Sequence, residues 1–230
     1  MTEPYLISPK GWTRVTLEAD PTRGYISRVD TGATPSTKND NYWDGDIPWL
    51  SPKEITNING RLYVSTTARH ISAEGLKRSA AKLLPQGTVM LTKRAPVGLV
   101  VINAEPMATN QGFLNFTCGP KLRPEFLAYW LKSSKPYLYA VANGSTYPEL
   151  YSSDLFEFEI AVPPIAYQDK VIKVINSIQT VIALESSLEQ LTADPDMLSM
   201  FQQKSVRIKT LRDKLLPVLI SGQLDISNLV

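Results

Sequence analysis

The chain has few of the residue types that most often bind metals or catalyse reactions, with one cysteine and one histidine among 230 residues. A single cysteine, Cys118, excludes an internal disulfide and any zinc site built from several cysteines. It fits a small buried thiol in a reducing cytoplasm, and a reactive thiol is the alternative. His70 permits a Ser-His-Asp site arithmetically, but no Gly-x-Ser-x-Gly sequence accompanies it. Walker, His-Glu-x-x-His and EF-hand patterns are also missing, so we expect no catalytic residue, no metal and no cofactor in this chain.

Long apolar runs are missing as well. The sequence has no stretch that we expect to span a bilayer, which takes about 20 apolar residues. Residues 1–5 do not resemble a signal peptide. The apolar fraction of 43% supports a packed core and disfavours disorder. We therefore expect a folded cytoplasmic protein without a membrane partner.

Charge is nearly balanced overall but unevenly placed. The net charge of +2 is too small to indicate a partner. Residues 61–94, however, contain seven basic side chains and one acidic one, whereas residues 163–230 contain seven of each. A local excess of six positive charges favours salt-sensitive attraction to phosphates.

The chain divides into two unlike parts near Val162. Residues 1–162 mix short alternating segments with turn signals, and residues 163–230 are helical in pattern and almost free of glycine. We predict an α+β fold, in which a recognition domain (1–162) with a twisted, mostly antiparallel sheet and short helices precedes a long coiled-coil-like arm (163–230). Strands are predicted at 12–17, 25–29, 88–92, 99–102, 114–117 and 156–162, short helices at 51–55, 72–81 and 124–133, and a turn carrying two tryptophans at 42–50.

The arm has apolar residues every three to four positions, with a break at Pro195 and a stop at Ser221-Gly222. This spacing is typical of a coiled-coil seam. The seam can pair with another helical chain, or the arm can fold on itself as a hairpin at Pro195. The residues predicted to form it are Val171, Val174, Ile178, Val181, Leu188, Phe201, Ile208, Leu211 and Leu215.

Three polar loops could contact a nucleic acid. Lys93-Arg94 lies between two predicted strands, where an Arg can reach a phosphate or a guanine edge. Asn110-Gln111 offers amides that can pair with adenine, and residues 143–147 offer small hydroxyls for phosphates. Each loop can also be an ordinary solvated turn. Trp43 and Trp49 could stack on a ligand, but core packing is the simpler interpretation.

Five short sequence elements, taken in order, resemble the specificity (S) subunits of type I restriction-modification systems. They are Gly-x-Thr-Pro-Ser at 32–36, Tyr-Trp-x-Gly-x-Ile-Pro-Trp-Leu-Ser-Pro-Lys-Glu-Ile at 42–55, Lys-Arg-Ala-Pro-Val-Gly at 93–98, Ala-Thr-Asn-Gln-Gly-Phe at 108–113, and Gly-Ser-Thr at 144–146 followed by Phe-x-Ile-x-Val-Pro-Pro at 158–164. Each element is weakly specific alone, and the five in order are specific. Ala-Tyr-Gln at 166–168 departs from the usual Glu-Gln of the family.

The resemblance implies a division of labour. S subunits read double-stranded DNA and carry no catalytic residues. Modification (methyltransferase) subunits use S-adenosylmethionine to methylate adenine, and restriction subunits use ATP in cleavage, so both cofactors are expected only on those partners.

The resemblance further suggests a half-subunit, because a usual S chain has two recognition domains and two helical spacers. A homodimer through the helical region would restore that layout. Twofold symmetry then predicts an interrupted palindromic site, whose gap depends on helix length. Pairing with another half-subunit is the alternative.

The resemblance and the charge pattern together give the candidate DNA contacts. Lys93, Arg94, Asn110, Gln111, Thr34 and Ser36 are expected near base edges, and the backbone candidates are Lys53, Arg69, Lys77, Arg78, Ser145 and Thr146. Residues recognisable across a family with diverse targets cannot themselves encode those differences. Arg94 and Gln111 could therefore be scaffold or phosphate residues, with base readers in 56–90. Rival functions are a type IIB-like specificity subunit and a coiled-coil adaptor that binds no DNA.

Overall fold

The computed structural model describes residues 9–56, 61–94, 96–142, 148–156, 158–224 and 226. The chain forms two compact units. One unit is Arg14–Val162, and the other joins Pro163–Val230 to the segment before Arg14. The sequence analysis assigned that N-terminal segment to the recognition domain instead, so the two divisions differ by about a dozen residues at the start of the chain.

The first unit combines three small sheets with short helices, which confirms the predicted α+β class. Its strands are β1 (Thr13–Thr16), β2 (Ile26–Thr31), β3 (Trp43–Leu50), β4 (Tyr63–Val64), β5 (His70–Ile71), β6 (Val89–Thr92), β7 (Val100–Asn103), β8 (Ala108–Thr109), β9 (Phe113–Cys118) and β10 (Glu159–Val162). Its helices are α1 (Pro52–Ile55), α2 (Ala73–Lys77), α3 (Pro124–Ser133), α4 (Lys135–Val141) and α5 (Ser152–Phe156), with a 3-10 turn at Asp40–Tyr42.

The largest sheet has five strands in the order β2-β9-β6-β7-β4. Neighbours pair antiparallel as far as β7, and β4 pairs parallel to β7. Every residue of β6 and β7 is buried, and α3 packs on both strands. Their β-branched and other apolar side chains suit a strand that is covered on both faces. This sheet therefore forms the rigid base from which the loops of the unit project.

A three-stranded sheet, β5-β3-β8, corrects the predicted turn at 42–50. That segment is the strand β3, and its turn-like residues form a bulge: Trp43 and Ile47 both lie opposite Ile71. Asp44 at the bulge has a φ of 56°. The three residues 44–46 between Trp43 and Ile47 have no opposite partner, and such a bulge accommodates turn-forming residues without ending the pairing. A turn pattern here therefore belongs to a strand. The predicted strand at 156–162 is likewise shorter, because α5 extends to Phe156.

The second unit contains two long helices, α6 (Ile165–Leu191) and α7 (Pro195–Ile220), packed against each other. Pro195 is the first residue of α7, and the Asp194 side chain caps it by accepting from the amides of Asp196 and Met197 at 2.9 and 3.1 Å. Gly222, with a φ of +72°, follows the last turn. The predicted helical arm is confirmed, and its second helix begins and ends at the predicted break and stop.

Helix α6 is long and apolar enough to cross a membrane by length and composition alone, with a mean hydropathy of 1.2 over its most apolar 18 residues. The expectation that no apolar run could span a bilayer is therefore wrong on those two criteria. The middle of the helix carries Asn176, Gln179 and Thr180, and one side packs on α7. These features are typical of a helix that pairs with another helix.

The predicted seam separates into buried and exposed positions. Val171 and Phe201 are buried, and Ile208 and Leu215 are half-buried. By contrast, Val181 is 43% exposed and Leu211 52% exposed. The two helices thus form the hairpin that the sequence analysis left open, and part of the apolar seam remains on its surface.

Candidate nucleic-acid interface

Three loops of the Arg14–Val162 unit meet, and we call them the loop cluster. They are residues 32–36 after β2, 93–98 between β6 and β7 (described at 93–94 and 96–98), and 110–112 between β8 and β9. Gly32 packs so tightly on the backbone carbonyls of Thr109 and Asn110 that any side chain there would overlap them. The amide of Lys93 donates to the carbonyl of Gly112 at 2.8 Å. Strands of two different sheets therefore bring the polar loops predicted from the sequence to one place.

Side chains of two of these loops bind each other. The hydroxyl of Thr34 donates to Oε1 of Gln111 at 2.6 Å. Asn110 is turned inward, with its Oδ1 accepting from the amide of Gly112 at 2.8 Å. Gln111 and Thr34 are exposed, whereas Asn110 is half-buried. Asn110 therefore shapes its own loop in the way that turn chemistry favours, and Gln111 is the amide that reaches the surface.

Lys93 and Arg94 share one carboxylate partner that the sequence analysis missed. Nζ of Lys93 lies 3.1 Å from Oε1 of Glu149, and a guanidinium nitrogen of Arg94 lies 3.8 Å from Oε2. The amide of Leu150 donates to the Lys93 carbonyl at 2.8 Å. Glu149 is 55 positions from Arg94 along the chain, so no short-range pattern could have identified it. It offsets part of the positive charge of this loop.

The two tryptophans hold loop 32–36 in place through hydrogen bonds from their indole nitrogens. The indole nitrogen of Trp49 donates to the carbonyl of Ala33 at 2.9 Å, and that of Trp43 donates to the carbonyl of Ser36 at 3.1 Å. Their rings meet edge to face, with centroids 5.2 Å apart. Trp49 is buried and Trp43 is half-buried. The sequence analysis favoured core packing for both tryptophans. In the structure, both indole rings hold the backbone of loop 32–36 in place.

Arg69 lies on top of this aromatic pair. Its guanidinium carbon is 3.6 Å from the centroid of the Trp43 ring and 5.1 Å from that of Trp49. A stacked guanidinium keeps its in-plane donors available for an anion or a base edge. Arg69 is exposed, so the structure fixes a basic group at the surface beside loop 32–36. The sequence predicted Arg69 as a contact but did not reveal the indole beneath it.

Helix α1 borders the loop cluster. Pro52 packs on Gly112, where an added Cβ would come within 2.9 Å of the proline Cγ. Glu54 accepts from the amide and hydroxyl of Ser51 at 3.0 and 2.9 Å, and from the amide of Ala68 at 2.7 Å. This carboxylate holds the start of α1 and the segment before Arg69 together. Lys53 is exposed on the same helix.

Two further candidates lie on helix α2 and at its C-cap. Lys77 and Arg78 lie at the end of α2, which packs on β3 and on the turn Asp40–Tyr42. Arg78 bonds Glu74 at 2.7 Å, and this hydrogen bond lowers the pKa of the Glu74 carboxyl. Ser145 and Thr146 lie outside the described residues.

The single histidine and the single cysteine lie within the fold. His70 is a half-buried residue of β5 opposite Pro48. Desolvation raises the pKa of the Cys118 thiol to about 12.

In chemical terms, the loop cluster and its border present guanidinium, ammonium, amide and hydroxyl groups on a rigid support. Such groups can bind phosphates by charge and base edges by paired hydrogen bonds. Among the described residues, no group of three or more His, Cys, Asp or Glu side chains has the spacing of a metal site. The arrangement suits recognition of a polyanion that carries hydrogen-bonding edges.

Comparison with solved structures gives the same architecture. A chain from a structure concerning complex assembly and conformational transition of the type I R-M system aligns with a TM-score of 0.63 at 20% identity, over 97% of this chain and 49% of that chain. The HsdS subunit from Thermoanaerobacter tengcongensis aligns with a TM-score of 0.56 at 18% identity, over 94% and 46%. At these identities the likeness concerns the fold.

Sequence comparison gives the family. The type I restriction enzyme MjaIX specificity subunit of Methanocaldococcus jannaschii is 40% identical over 153 residues, which is 66% of this chain and 35% of that protein. The HindI specificity subunit of Haemophilus influenzae is 25% identical over 223 residues, covering 94% and 42%. The chain thus spans less than half the length of these relatives. The family described as type I restriction modification DNA specificity domain matches residues 24–192, and the chain belongs to that family.

Proposed function

We propose that this chain reads double-stranded DNA as a specificity subunit of a type I restriction-modification system. The observation that carries the proposal is the meeting of loops 32–36, 93–98 and 110–112 on one rigid unit, with Arg69 stacked beside them. Family membership and the names of the curated relatives point the same way.

Charge and hydrogen-bonding geometry divide the proposed contacts. Residues 61–94 carry the excess positive charge of the domain, and counterion release on phosphate binding makes that attraction depend on salt. The forked guanidinium of Arg69 suits the edge of guanine, and the side-chain amide of Gln111 suits the edge of adenine. Lys93 and Arg94 are partly neutralised by Glu149, so we assign them to loop support and phosphate contact.

Methylation and cleavage belong to partners in this proposal. The chain is non-catalytic, and modification subunits with S-adenosylmethionine and restriction subunits with ATP act at the DNA that it selects. The relatives are named as specificity subunits of type I restriction enzymes, and one structural neighbour comes from a study of assembly of the type I R-M system. Both facts support a chain that works within a larger complex.

We further propose that two copies pair through the helical arm. The α6–α7 hairpin buries Phe201 and leaves Met200 and Leu211 exposed. These two exposed residues are eleven positions apart, which is three turns, so they share one side of α7. Val174, Val181 and Leu188 recur at seven-residue spacing on α6 and are half-buried or exposed. A twofold pair would join two identical readers and select an interrupted palindrome.

The proposal is tested by measuring DNA binding together with the neighbouring modification subunit. Fluorescence anisotropy on a pool of duplexes at several salt concentrations should show binding that weakens steeply as salt rises, and selection from the pool should enrich one sequence motif. The modification subunit alone is the control. Stable assembly without salt-dependent DNA binding would contradict the proposal and favour the adaptor function.

A further inference from the structure

A second basic feature of the Arg14–Val162 unit is an open pocket of about 470 Å³ behind α1. Its apolar wall includes Ile55, Leu99 and Val101. Basic side chains stand around it from three separate parts of the chain, namely Arg61 before β4, Lys132 on α3 and Lys135 at the start of α4. We call it the Arg61 pocket.

The charge of this pocket is of one sign. Among the described residues that line it, three are basic and none is acidic. Arg61 and Lys135 are exposed, and neither forms a salt bridge with any residue that the structure describes. Like charges around a shared space repel each other unless an anion enters. The pocket is therefore electrostatically suited to a negatively charged group.

The position of Lys135 is built into the fold. Its side chain crosses Gly98, where an added Cβ would come within 2.9 Å of the lysine Cγ. Gly98 has a φ of +84°, which glycine adopts without strain. The Gly98 amide donates to the Thr92 carbonyl, and the Leu99 amide donates to the Thr92 hydroxyl, both at 2.9 Å. These hydrogen bonds hold the backbone that one of the two exposed cations packs against.

The pocket adjoins elements that also form the proposed DNA interface. Loop 93–98 contributes Pro96 and Gly98 to the pocket and Lys93 and Arg94 to the loop cluster. Helix α1, which contacts the loop cluster through Pro52, contributes Ile55 to the pocket wall. Duplex DNA carries one charge for about every 1.7 Å of its axis. A duplex bound at the cluster therefore presents further phosphates to neighbouring surfaces.

We propose that the Arg61 pocket binds a phosphate group of the DNA backbone beside the bases being read. The exposed cations face the phosphate, and the apolar wall packs against the deoxyribose. Such a contact carries no sequence information but fixes the register of the protein on the duplex. This inference rests on the proposed DNA-binding function.

The test is the double substitution Arg61→Gln with Lys135→Gln in the full chain bound to its modification subunit. We expect weaker binding to every duplex by a similar factor, unchanged sequence preference, and a plot of log affinity against log salt whose slope falls by about one. The matched control, Lys173→Gln with Lys209→Gln, removes two exposed charges from α6 and α7 away from the proposed pairing side and should leave the slope unchanged. The charge-preserving pair Arg61→Lys with Lys135→Arg should retain most of the affinity.

Wild-type affinity and slope in the glutamine variant, with an unchanged melting temperature, would overturn the proposal. Calorimetry with inorganic pyrophosphate separates the two sources of a phosphate group. Pyrophosphate binding that the variant loses while DNA binding stays unchanged would assign the pocket to a free phosphorylated ligand instead and overturn the DNA assignment. If the wild-type complex binds no DNA, the proposed function fails, and absence of pyrophosphate binding would then also reject the pocket as a phosphate site.

Discussion

The hydroxyl of Thr34 donates to Oε1 of Gln111 at 2.6 Å and joins two loops that are 77 residues apart in the chain. Both side chains are exposed, so the bond adds little to global stability, about 0.5–1.5 kcal/mol. Its larger effect is to hold the amide of Gln111 in one orientation. In the proposed function, this contact orients a side chain that reads a base.

Thr34→Val should therefore reduce DNA affinity more than it reduces stability. Losing this exposed hydrogen bond lowers the free energy of unfolding by about 0.5–1.5 kcal/mol, whereas a mobile Gln111 would lose the proposed directional contact with a base. Thr22→Val is the matched control, since its hydroxyl donates to Asp20 at 2.6 Å in another exposed loop. Chemical denaturation and anisotropy check both effects, and equal affinity losses in the two variants would contradict the role of Thr34.

Arg69 should act through both its charge and its planar shape. Arg69→Ala is expected to cost about 0.5–1 kcal/mol of stability through loss of the contact with Trp43, and to lower the salt slope of DNA binding by about one if Arg69 contacts a phosphate. Arg69→Lys keeps the charge and loses the fork. An unchanged slope with altered sequence preference in both variants would assign Arg69 to base reading.

Glu149 should restrain the DNA affinity of the loop it neutralises. Glu149→Gln removes the carboxylate that lies 3.1 Å from Lys93, so we expect tighter binding to all duplexes and a steeper salt dependence. Arg94→Ala should weaken binding by about 1–3 kcal/mol. Glu159→Gln, which breaks the exposed pair with Arg14 at 3.1 Å, is the control. Unchanged binding in the Glu149 and Arg94 variants would remove this loop from the interface.

The exposed side of α7 should control pairing of two copies. Leu211→Glu places a charge among the exposed apolar residues and is expected to convert a dimer into a monomer. Val206 is 63% exposed and lies five positions before Leu211, which places it on a different side of the helix. Val206→Glu should therefore leave the dimer intact. Sedimentation velocity measures the state, and the same state for both variants would contradict pairing through this side.

The sequence was informative where structure is local. The cap of α1, the break at Pro195 and four of the five strands of the large sheet (β2, β6, β7 and β9) follow from spacing and turn chemistry within a few residues. The strand β3 could not be predicted from local spacing, because Asp44 and Gly45 form a turn in most contexts. Here they form a bulge whose shape depends on the distant partner Ile71.

The candidate site likewise contains residues that the local sequence predicts and partners that it does not. Loops with Lys93-Arg94 and Asn110-Gln111 could be predicted from their composition, and the structure places both in one cluster. The side chains that contact these basic residues could not be predicted. Glu149 lies far along the chain from Lys93 and Arg94, and the sequence pattern suggests that Trp43, which stacks with Arg69, is a core residue. The side chain of Asn110 points inward because it accepts a hydrogen bond from the amide of Gly112, two positions later. An asparagine close to a glycine indicates such a local turn.

In the proposed function, this chain selects the DNA sequence on which its partners act. The most direct measurement is a methylome: the chain is co-expressed with its neighbouring modification subunit, and methyladenine is mapped by single-molecule sequencing. We expect a new methylated motif that is interrupted and palindromic, and that is lost when Arg69→Ala and Gln111→Ala are combined. No new methylation, with both proteins soluble and associated, would contradict the proposed function.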